Sequence, residues 1–188
     1  KGRIVFRGDH VRDEFNAVAV FQELSASPTT VNTTNSTIAY GCIPGHKVTT
    51  SDAIKAYVQS KLKSKHETWV LIPRELWPND WHGKYTKPMC RLNKALYGHP
   101  ESGGHWERHL ISAVKACGGK PVENHLSSYW FEDSKLLLTV YVDDLMLAGP
   151  EGAHDQLWDR LRNGPEPIKL EDSEPLNRFL GREHIQKA

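Results

Sequence analysis

No apolar run in this sequence approaches the ~20 residues that a bilayer-spanning helix needs, and no charged-then-apolar leader opens the chain. Membrane insertion and secretion are therefore not expected. Cysteine is scarce: Cys42, Cys90 and Cys117 are an odd count without framework spacing, which argues against a disulfide scaffold and for a reducing compartment. Two sequons at Asn32 and Asn35 point weakly the other way, but such triplets are common in a Thr-rich run. There is no Gly-rich phosphate cradle and no nucleophile elbow, so phosphate-loop and serine-hydrolase chemistry have no foothold. His105 and His109 lie one helical turn apart and Cys42 and His46 have zinc-like spacing, yet neither has a second pair at a proper distance. A structural zinc is not expected.

Net charge is also nearly absent, at +1 from 24 Lys and Arg against 23 Asp and Glu, but the distribution is uneven. Lys1, Arg3, Arg7 and Arg12 form one basic block, Lys55, Lys61, Lys63 and Lys65 a second, and Lys84, Lys87, Arg91 and Lys94 a third. Acids gather between Glu166 and Glu174. Three basic blocks together suggest a nucleic-acid track, against the plainer reading of solvated faces. At 188 residues the chain can build one domain with a real core.

Along the chain, "RIVF" and "AVAVF" read as short strands flanking a turn at Gly8-Asp9. The stretch after Ser27-Pro28 predicts a helix with Val31, Ile38 and Cys42 on one face. "KVTTSD" reads as a strand that delivers Asp52 to a strand-to-helix junction, with Ile54, Val58 and Leu62 on the helix that follows. Trp69 to Ile72 is a short strand before an irregular Pro and Trp-rich loop. A helix is expected from about Glu101 to Cys117, with Trp106, Leu110, Val114 and Cys117 inward and Gly118-Gly119 as its stop. "SYWF", "LLLTVYV" and "LMLAG" read as antiparallel hairpins, followed by a helix over 154–163 with Leu157 and Leu161 inward and a last strand in "NRFLGREHI".

The string "VYVDDLMLAG" places Asp143 and Asp144 at a hairpin tip between two apolar runs. Two ionised aspartates side by side repel, and burying them unpaired costs several kcal/mol each. A divalent cation removes that problem, and hard oxygen ligands suit Mg²⁺. The bland alternative is a solvated turn, where Asp is ordinary. Asp52 ends another strand, so a neighbouring placement would gather three carboxylates, the set that a two-metal site uses.

At these residues the sequence resembles the reverse transcriptase domain of copia-type long-terminal-repeat retrotransposons. "KGRIVFRGD" is similar to that family's opening fingers strand, and "TSDAIKAYVQSKL" to its first catalytic motif, an Asp followed five residues later by an aromatic. "CRLNKALYGHPESGGHWERHL" resembles its Leu-Tyr-Gly motif and following helix, "VYVDDLMLAG" its signature, and "RFLGREH" its primer-gripping hairpin. The resemblance implies an α+β fold: reverse-transcriptase fingers and palm, with an antiparallel palm sheet backed by helices. Residues 1–188 would be one unit, with fingers elements at about 1–46 and 68–95 and palm at about 47–67 and 96–188. It implies RNA-directed DNA synthesis by nucleotidyl transfer of dNTPs onto a primer 3′-hydroxyl, with two Mg²⁺ ions, or Mn²⁺ in their place, as cofactor. Asp52, Asp143 and Asp144 would be catalytic and metal-binding, with the backbone carbonyl of Ala53 as an extra ligand. Tyr57 would lie under the sugar and exclude a 2′-hydroxyl, Tyr97 and Gly98 would floor the nucleotide and template pocket, and Arg3 and Arg7 would be candidates to reach the triphosphate and the template. Tyr141 and Val142, with Phe179, Leu180 and Gly181, would contact the primer; Lys169 could protonate pyrophosphate, against the plainer reading of an exposed, solvated lysine.

The implied partners are an RNA or DNA template with its primer, dNTPs, and the rest of a polyprotein bearing thumb and RNase H, neither of which this chain is expected to contain; no membrane is implied. The implied location is a cytoplasmic virus-like particle, the nucleus, or both. Two departures stand out. "HPESGG" follows Gly98 where the family has a Lys-Gln-Ser/Ala-Pro-Arg pattern, and "QSKL" replaces the usual Asn-Gly-Asp tail after Tyr57. These leave an alternative: a non-catalytic remnant that binds nucleic acid or a protein partner.

Overall fold

Alternating and continuous apolar runs in the second half of the chain build the sheet that organises everything else. The structure is a computed structural model and describes residues 4–13, 15–19 and 29–185. In chain order its elements are α1 (Val31–Gly41), β1 (His46–Asp52), α2 (Ala56–Gln59), β2 (Trp69–Leu71), β3 (Met89–Arg91), α3 (Ser102–Ala116), β4 (Lys120–Pro121), β5 (Ser128–Phe131), β6 (Leu136–Tyr141), β7 (Asp144–Pro150), α4 (His154–Asn163), β8 (Glu174–Pro175), β9 (Arg178–Phe179) and β10 (Arg182–Glu183). Six strands form one antiparallel sheet in the order β4-β5-β6-β7-β1-β8. β2 with β3 and β9 with β10 form separate two-stranded hairpins. Mixed helix and antiparallel sheet is thus the observed class.

The central strands β6 and β7 are buried on both faces, which is why they read as nearly continuous apolar runs. Leu136, Leu138, Val140, Leu145 and Leu147 point to one face, where Trp106, Leu110 and Val114 of α3 and Leu157, Trp158 and Leu161 of α4 complete a dry core. The inward faces expected for α3 and α4 are the ones buried. Gly118 takes φ +89° just past the end of α3, in keeping with a glycine helix stop.

The other face is covered by α1, and here the expectation is corrected. Val31 and Cys42 are exposed and Ile38 is half-buried; the buried residues are Thr33, Thr34, Thr37 and Gly41. The reason lies in the sheet beneath, which offers hydroxyls: Thr37 Oγ1 lies 2.7 Å from Thr139 Oγ1 and also donates to the Thr33 carbonyl at 3.0 Å. Gly41 lets helix and strand approach closely, since a Cβ there would sit 2.1 Å from Val48 Cγ2. Thr30 caps the helix by accepting from the Thr33 N–H, so the start lies two residues beyond the Pro28 signal, which itself falls outside the described residues.

Further expectations change. Ile4 to Arg7 form no strand; Phe6 N–H instead donates to the Tyr97 carbonyl at 2.7 Å, and a short 3₁₀ turn follows over Gly8–His10. Of "AVAVF", Val18 makes only a bridge to Arg12, and Val20 and Phe21 lie outside the described residues. The helix after Asp52 is a single turn, Ala56–Gln59, because Lys55 enters it with φ +51° and Ser60 leaves it extended. "NRFLGREH" is a tight hairpin, β9 to β10, with Leu180 and Gly181 at positive φ in its turn.

Candidate active site

Strand pairing sets two of the three predicted carboxylates opposite each other. β1 and β7 run antiparallel with Asp52 directly opposite Asp144, and β6 pairs with β7 so that Tyr141 is opposite the same Asp144. Residues paired this way have Cα atoms about 4.5–5.5 Å apart and side chains on one face. Asp52, Asp144 and Tyr141 therefore share a face at one end of the sheet. Val142 and Asp143 are the two residues of the β6–β7 turn, and Val142 alone of these takes positive φ, at 57°. Positive φ at the first central position is the II′ pattern of two-residue hairpins, which glycine usually fills.

A β-branched residue in that region is strained, and the surroundings hold it there. On one side Trp106 Nε1–H donates to the Val142 carbonyl at 2.6 Å, and on the other the Ala53 N–H donates to the Asp143 carbonyl at 2.7 Å. The turn is clamped between α3 and the end of β1. Sequence reasoning placed Trp106 on an inward face but missed this second task, for which a buried indole N–H seeking an acceptor is the available signal.

The charges that shift Asp52 and Asp144 are carboxylates. Burial, then Asp143, then Asp52 push the Asp144 carboxyl up to about 6 from 3.8. Asp52 is raised as well, by desolvation first and then by Glu171, Asp143 and Glu174. An acidic cleft of about 530 Å³ opens beside Asp52, walled by Glu171, Asp172 and Glu174. The acids of 166–174 were visible in the sequence, but their approach to Asp52 depends on Glu171 N–H donating to the Asp52 carbonyl, a bridge between Ala53 and Leu170 and the two-residue pairing of β8 with β1, none of which the sequence announces.

The all-oxygen donor set fits a hard divalent cation in kind. Among the described residues, however, no three His, Cys, Asp or Glu side chains are gathered closely enough to hold a metal ion.

Tyr57, half-buried, packs on Tyr97 with ring centroids 4.5 Å apart and planes tilted by 53°. Burial, then Asp143, then Tyr97 raise the Tyr57 hydroxyl above its usual range. Ser102 Oγ holds the Leu96 backbone next to Tyr97 at both ends, donating to its carbonyl at 2.8 Å and accepting from its N–H at 3.0 Å. Gly98 takes φ +89°, and a Cβ there would meet the Phe6 carbonyl at 2.0 Å. The N-terminal segment is thus a sufficient reason for glycine at this position, distinct from an empty nucleotide pocket.

The remaining site candidates scatter. Tyr141 is exposed at its strand end, whereas Phe179 is buried, so the β9–β10 hairpin presents Leu180 and Gly181 at its turn. Arg7 is exposed beside Asp9 and His10, and Arg3 lies outside the described residues. Lys169 is exposed; its backbone, not its amine, joins Gln59 and Ile54. "HPESGG" supplies a buried polar knot, in which Glu101 accepts from Ser64 and lies 3.8 Å from His105 Nε2.

The sequence matches the family described as reverse transcriptase (RNA-dependent DNA polymerase) over residues 1–188. It is similar to the Transposon Ty1-MR1 Gag-Pol polyprotein of Saccharomyces cerevisiae, 32% identical over 117 residues, which are 61% of this chain and 6% of the yeast protein. The Ty1-BL Gag-Pol polyprotein of the same yeast is 30% identical over 119 residues, 62% of this chain and 6% of that protein. A truncated Ty1-A Gag-Pol polyprotein is 31% identical over 101 residues, 53% of this chain and 8% of its own length. The chain spans less than a tenth of the curated relatives it matches.

Proposed function

Because the chain belongs to the reverse transcriptase (RNA-dependent DNA polymerase) family of the copia type, we propose that it carries the polymerase centre of a retrotransposon Gag-Pol polyprotein. The family as a whole depends on divalent metal; Mg²⁺ is the ion proposed here, with Mn²⁺ as substitute. The six-stranded sheet with α3 and α4 would be the palm, over 47–67 and 96–188. The fingers would comprise 1–46 and 68–95, with α1 leaning on the palm sheet. Template, primer and dNTPs are the proposed ligands, and the rest of the polyprotein, with thumb and RNase H, the proposed partner. The proposed location is a virus-like particle in the cytoplasm, the nucleus, or both. Among the described residues no helix is long and apolar enough to cross a membrane.

The observation that carries this reading is the register Asp52 opposite Asp144, with the Asp143 carbonyl tied to Ala53. Asp52, Asp143 and Asp144, helped by the Ala53 carbonyl, would hold two cations. When bound, such ions supply the positive charge that a triphosphate and an attacking hydroxyl need. The chain's own residues then position. The Tyr57 and Tyr97 rings form the wall against which a deoxyribose would rest, so that a 2′-hydroxyl is excluded by shape. The clamped Val142 carbonyl and Tyr141 would fix where the primer end sits, and Leu180 and Gly181 would press it from the other hairpin, anchored by buried Phe179. Gly98, packed against the Phe6 backbone, would join Tyr97 in flooring the template side, Arg7 and Arg3 would meet phosphate oxygens, and Lys169 would supply a proton to pyrophosphate.

The test is primer extension by the polyprotein containing this chain, with Mg²⁺ and a homopolymer template. Asp143→Asn is expected to lower extension by at least ~10³-fold while circular dichroism stays native, since catalysis here is electrostatic. Extension retained in that variant removes Asp143 from the catalytic role. No observation favours the non-catalytic alternative.

A further inference from the structure

We propose that Gln59 is a positioning residue of the polymerase site: it holds the wall formed by Tyr57 and Tyr97 at a fixed place relative to the Asp52 end of β1, and so sets the discrimination between deoxyribose and ribose. The role rests on the reading of Tyr57 as the wall under the sugar. What points to it is an opened pair of backbone bonds. Ala53 bridges Leu170 in the antiparallel sense, and the bonds on either side run from Glu171 N–H to the Asp52 carbonyl and from Ile54 N–H to the Lys169 carbonyl, both at 2.9 Å. Ile54 and Lys169 are therefore opposite each other, and residues paired this way exchange two bonds. Only one is made directly. In place of the second stands the Gln59 side chain: its Oε1 accepts from the Lys169 N–H at 2.7 Å, and its Nε2–H donates to the Ile54 carbonyl at 2.8 Å and to the Lys169 carbonyl at 3.0 Å. A side-chain amide is thus inserted into the ladder.

The insertion falls where the chain leaves the sheet. Lys55 turns left-handed, which carries the backbone out of the ladder and into the single turn Ala56–Gln59. A single helical turn closes few bonds of its own, so its orientation depends on what its residues reach outside it. Two ties run toward the Tyr97 side: Lys94 Nζ donates to the Gln59 carbonyl at 3.0 Å, and Ala95 N–H donates to the Ser60 carbonyl at 3.2 Å. The Gln59 side chain supplies the ties in the other direction, to the segment that lies against Asp52 and Ala53.

Tyr57 lies two residues before Gln59 in the same turn, with its ring packed on Tyr97. Exclusion of a 2′-hydroxyl is a matter of shape, and it works only while the wall and the reacting centre keep their separation; a misplacement of about 1 Å is enough to change rates by ~10²-fold. A side chain that ties the wall to the Asp52 frame without touching the sugar therefore controls selectivity through Tyr57. This also gives the "QSKL" departure a use, since Gln59 stands where the family pattern has Asn and keeps a primary amide on a stem one methylene longer.

The experiment is primer extension by the polyprotein containing this chain, reading kcat/KM for dGTP and for GTP on a poly-rC template, together with hydrogen exchange at the Lys169 amide. Gln59→Met keeps the length of the side chain and makes none of its three bonds. Its Lys169 amide is expected to exchange at least roughly tenfold faster, and its preference for dGTP over GTP to fall at least ~10-fold. Gln59→Glu keeps the acceptor but sets an oxygen against two carbonyls, so its preference should fall further. Ser60→Ala removes the bond from Ser60 Oγ to the Tyr57 carbonyl within the same turn and leaves the tie to residue 169, so it should keep the native preference. Unchanged exchange in Gln59→Met overturns the role. So does an equal loss for both nucleotides, or a fall in preference as large in Ser60→Ala, because either makes Gln59 one support of the fold among others. A native protein that extends no primer removes the sugar-wall reading and this role with it, whereas a native protein that prefers dGTP beside a Gln59→Met variant with the same preference overturns the role of Gln59 alone.

Discussion

One face of the central sheet is sealed by Trp106, Trp158, Leu157 and Leu161 over five aliphatic side chains; the other is covered by the threonines of α1 over Thr139. Register explains why the carboxylates emerge where they do. Thr139 faces Met146 and Thr50 faces Met146 across neighbouring strands, and two residues further along the same parity gives Tyr141, Asp144 and Asp52. The carboxylates are thus the continuation of the polar face past the end of its cover. The dry face supplies stability, and the polar face lets charges reach a wet rim without crossing an apolar core.

The largest break in that comparison should come from the dry face. Trp158 is fully buried and its Nε1–H donates to Thr49 Oγ1 at 2.9 Å, so Trp158→Ala removes both packing and a hydrogen bond. A loss of about 3–5 kcal/mol is expected in urea unfolding, and a loss under about 2 would mean the two faces are not so different.

On the polar face the expected loss is smaller and of another kind. Thr37→Val leaves Thr139 Oγ1 with only a long contact to Ser128 Oγ at 3.4 Å, at a cost of about 1–2 kcal/mol. Replacing both threonines by valine removes the orphaned hydroxyl, so the double variant should lose less than the two singles summed, by at least about 0.5 kcal/mol. Strict additivity would show that the hydroxyls do not depend on each other.

The same contrast governs what could be read from the sequence. Elements whose buried face is apolar were legible: α3 through Trp106, Leu110 and Val114, α4 through Leu157 and Leu161, and the β6–β7 hairpin through its unbroken flanks. The helix α1 was found, but its inward face was assigned to Val31, Ile38 and Cys42, because hydrophobic spacing cannot see a face buried through hydroxyls. Ile54, Val58 and Leu62 misled in the opposite direction. Their spacing is helical, but the backbone turns left-handed at Lys55 and only one helical turn forms. At the site, the adjacency of Asp52 and Asp144 could be suspected from two strand ends, while the clamp on Val142 required knowing which way an indole pointed.

Asp144 offers a subtler test through pH. Its folded carboxyl holds a proton up to about 6, against 3.8 for an ordinary Asp, so the folded state binds more protons between those values. Its stabilising contribution is therefore present below about pH 4 and lost as pH rises through about 6. Asp52 acts in the same direction. Full conversion of the Asp144 shift gives ~3 kcal/mol, but screening of a half-exposed group reduces this to about 1 kcal/mol. Urea titrations in metal-free buffer should show that fall in the native chain and a flatter profile in Asp144→Asn. Millimolar Mg²⁺ at pH 7 should restore stability to the native chain more than to the variant, and equal responses would detach Asp144 from the cation.

The smallest expected effect lies in the turn between the two aspartates. Left-handed backbone costs a non-glycine residue about 1–2 kcal/mol, toward the upper end for β-branched Val142 at φ +57°. Val142→Gly relieves that strain but returns nearly 1 kcal/mol to the unfolded chain as conformational freedom. The strain is the larger of the two, so the net should be a gain of under about 1 kcal/mol, a rise of roughly 2 °C in Tm for a chain of this size. Val142→Asn tolerates the same φ with less unfolded freedom and should gain slightly more. Neither variant touches the two bonds that clamp the turn, since both acceptors are main-chain carbonyls. A destabilisation by either substitution would mean that the Val142 side chain contributes packing worth more than its strain, and would move it from the turn's liabilities to its supports.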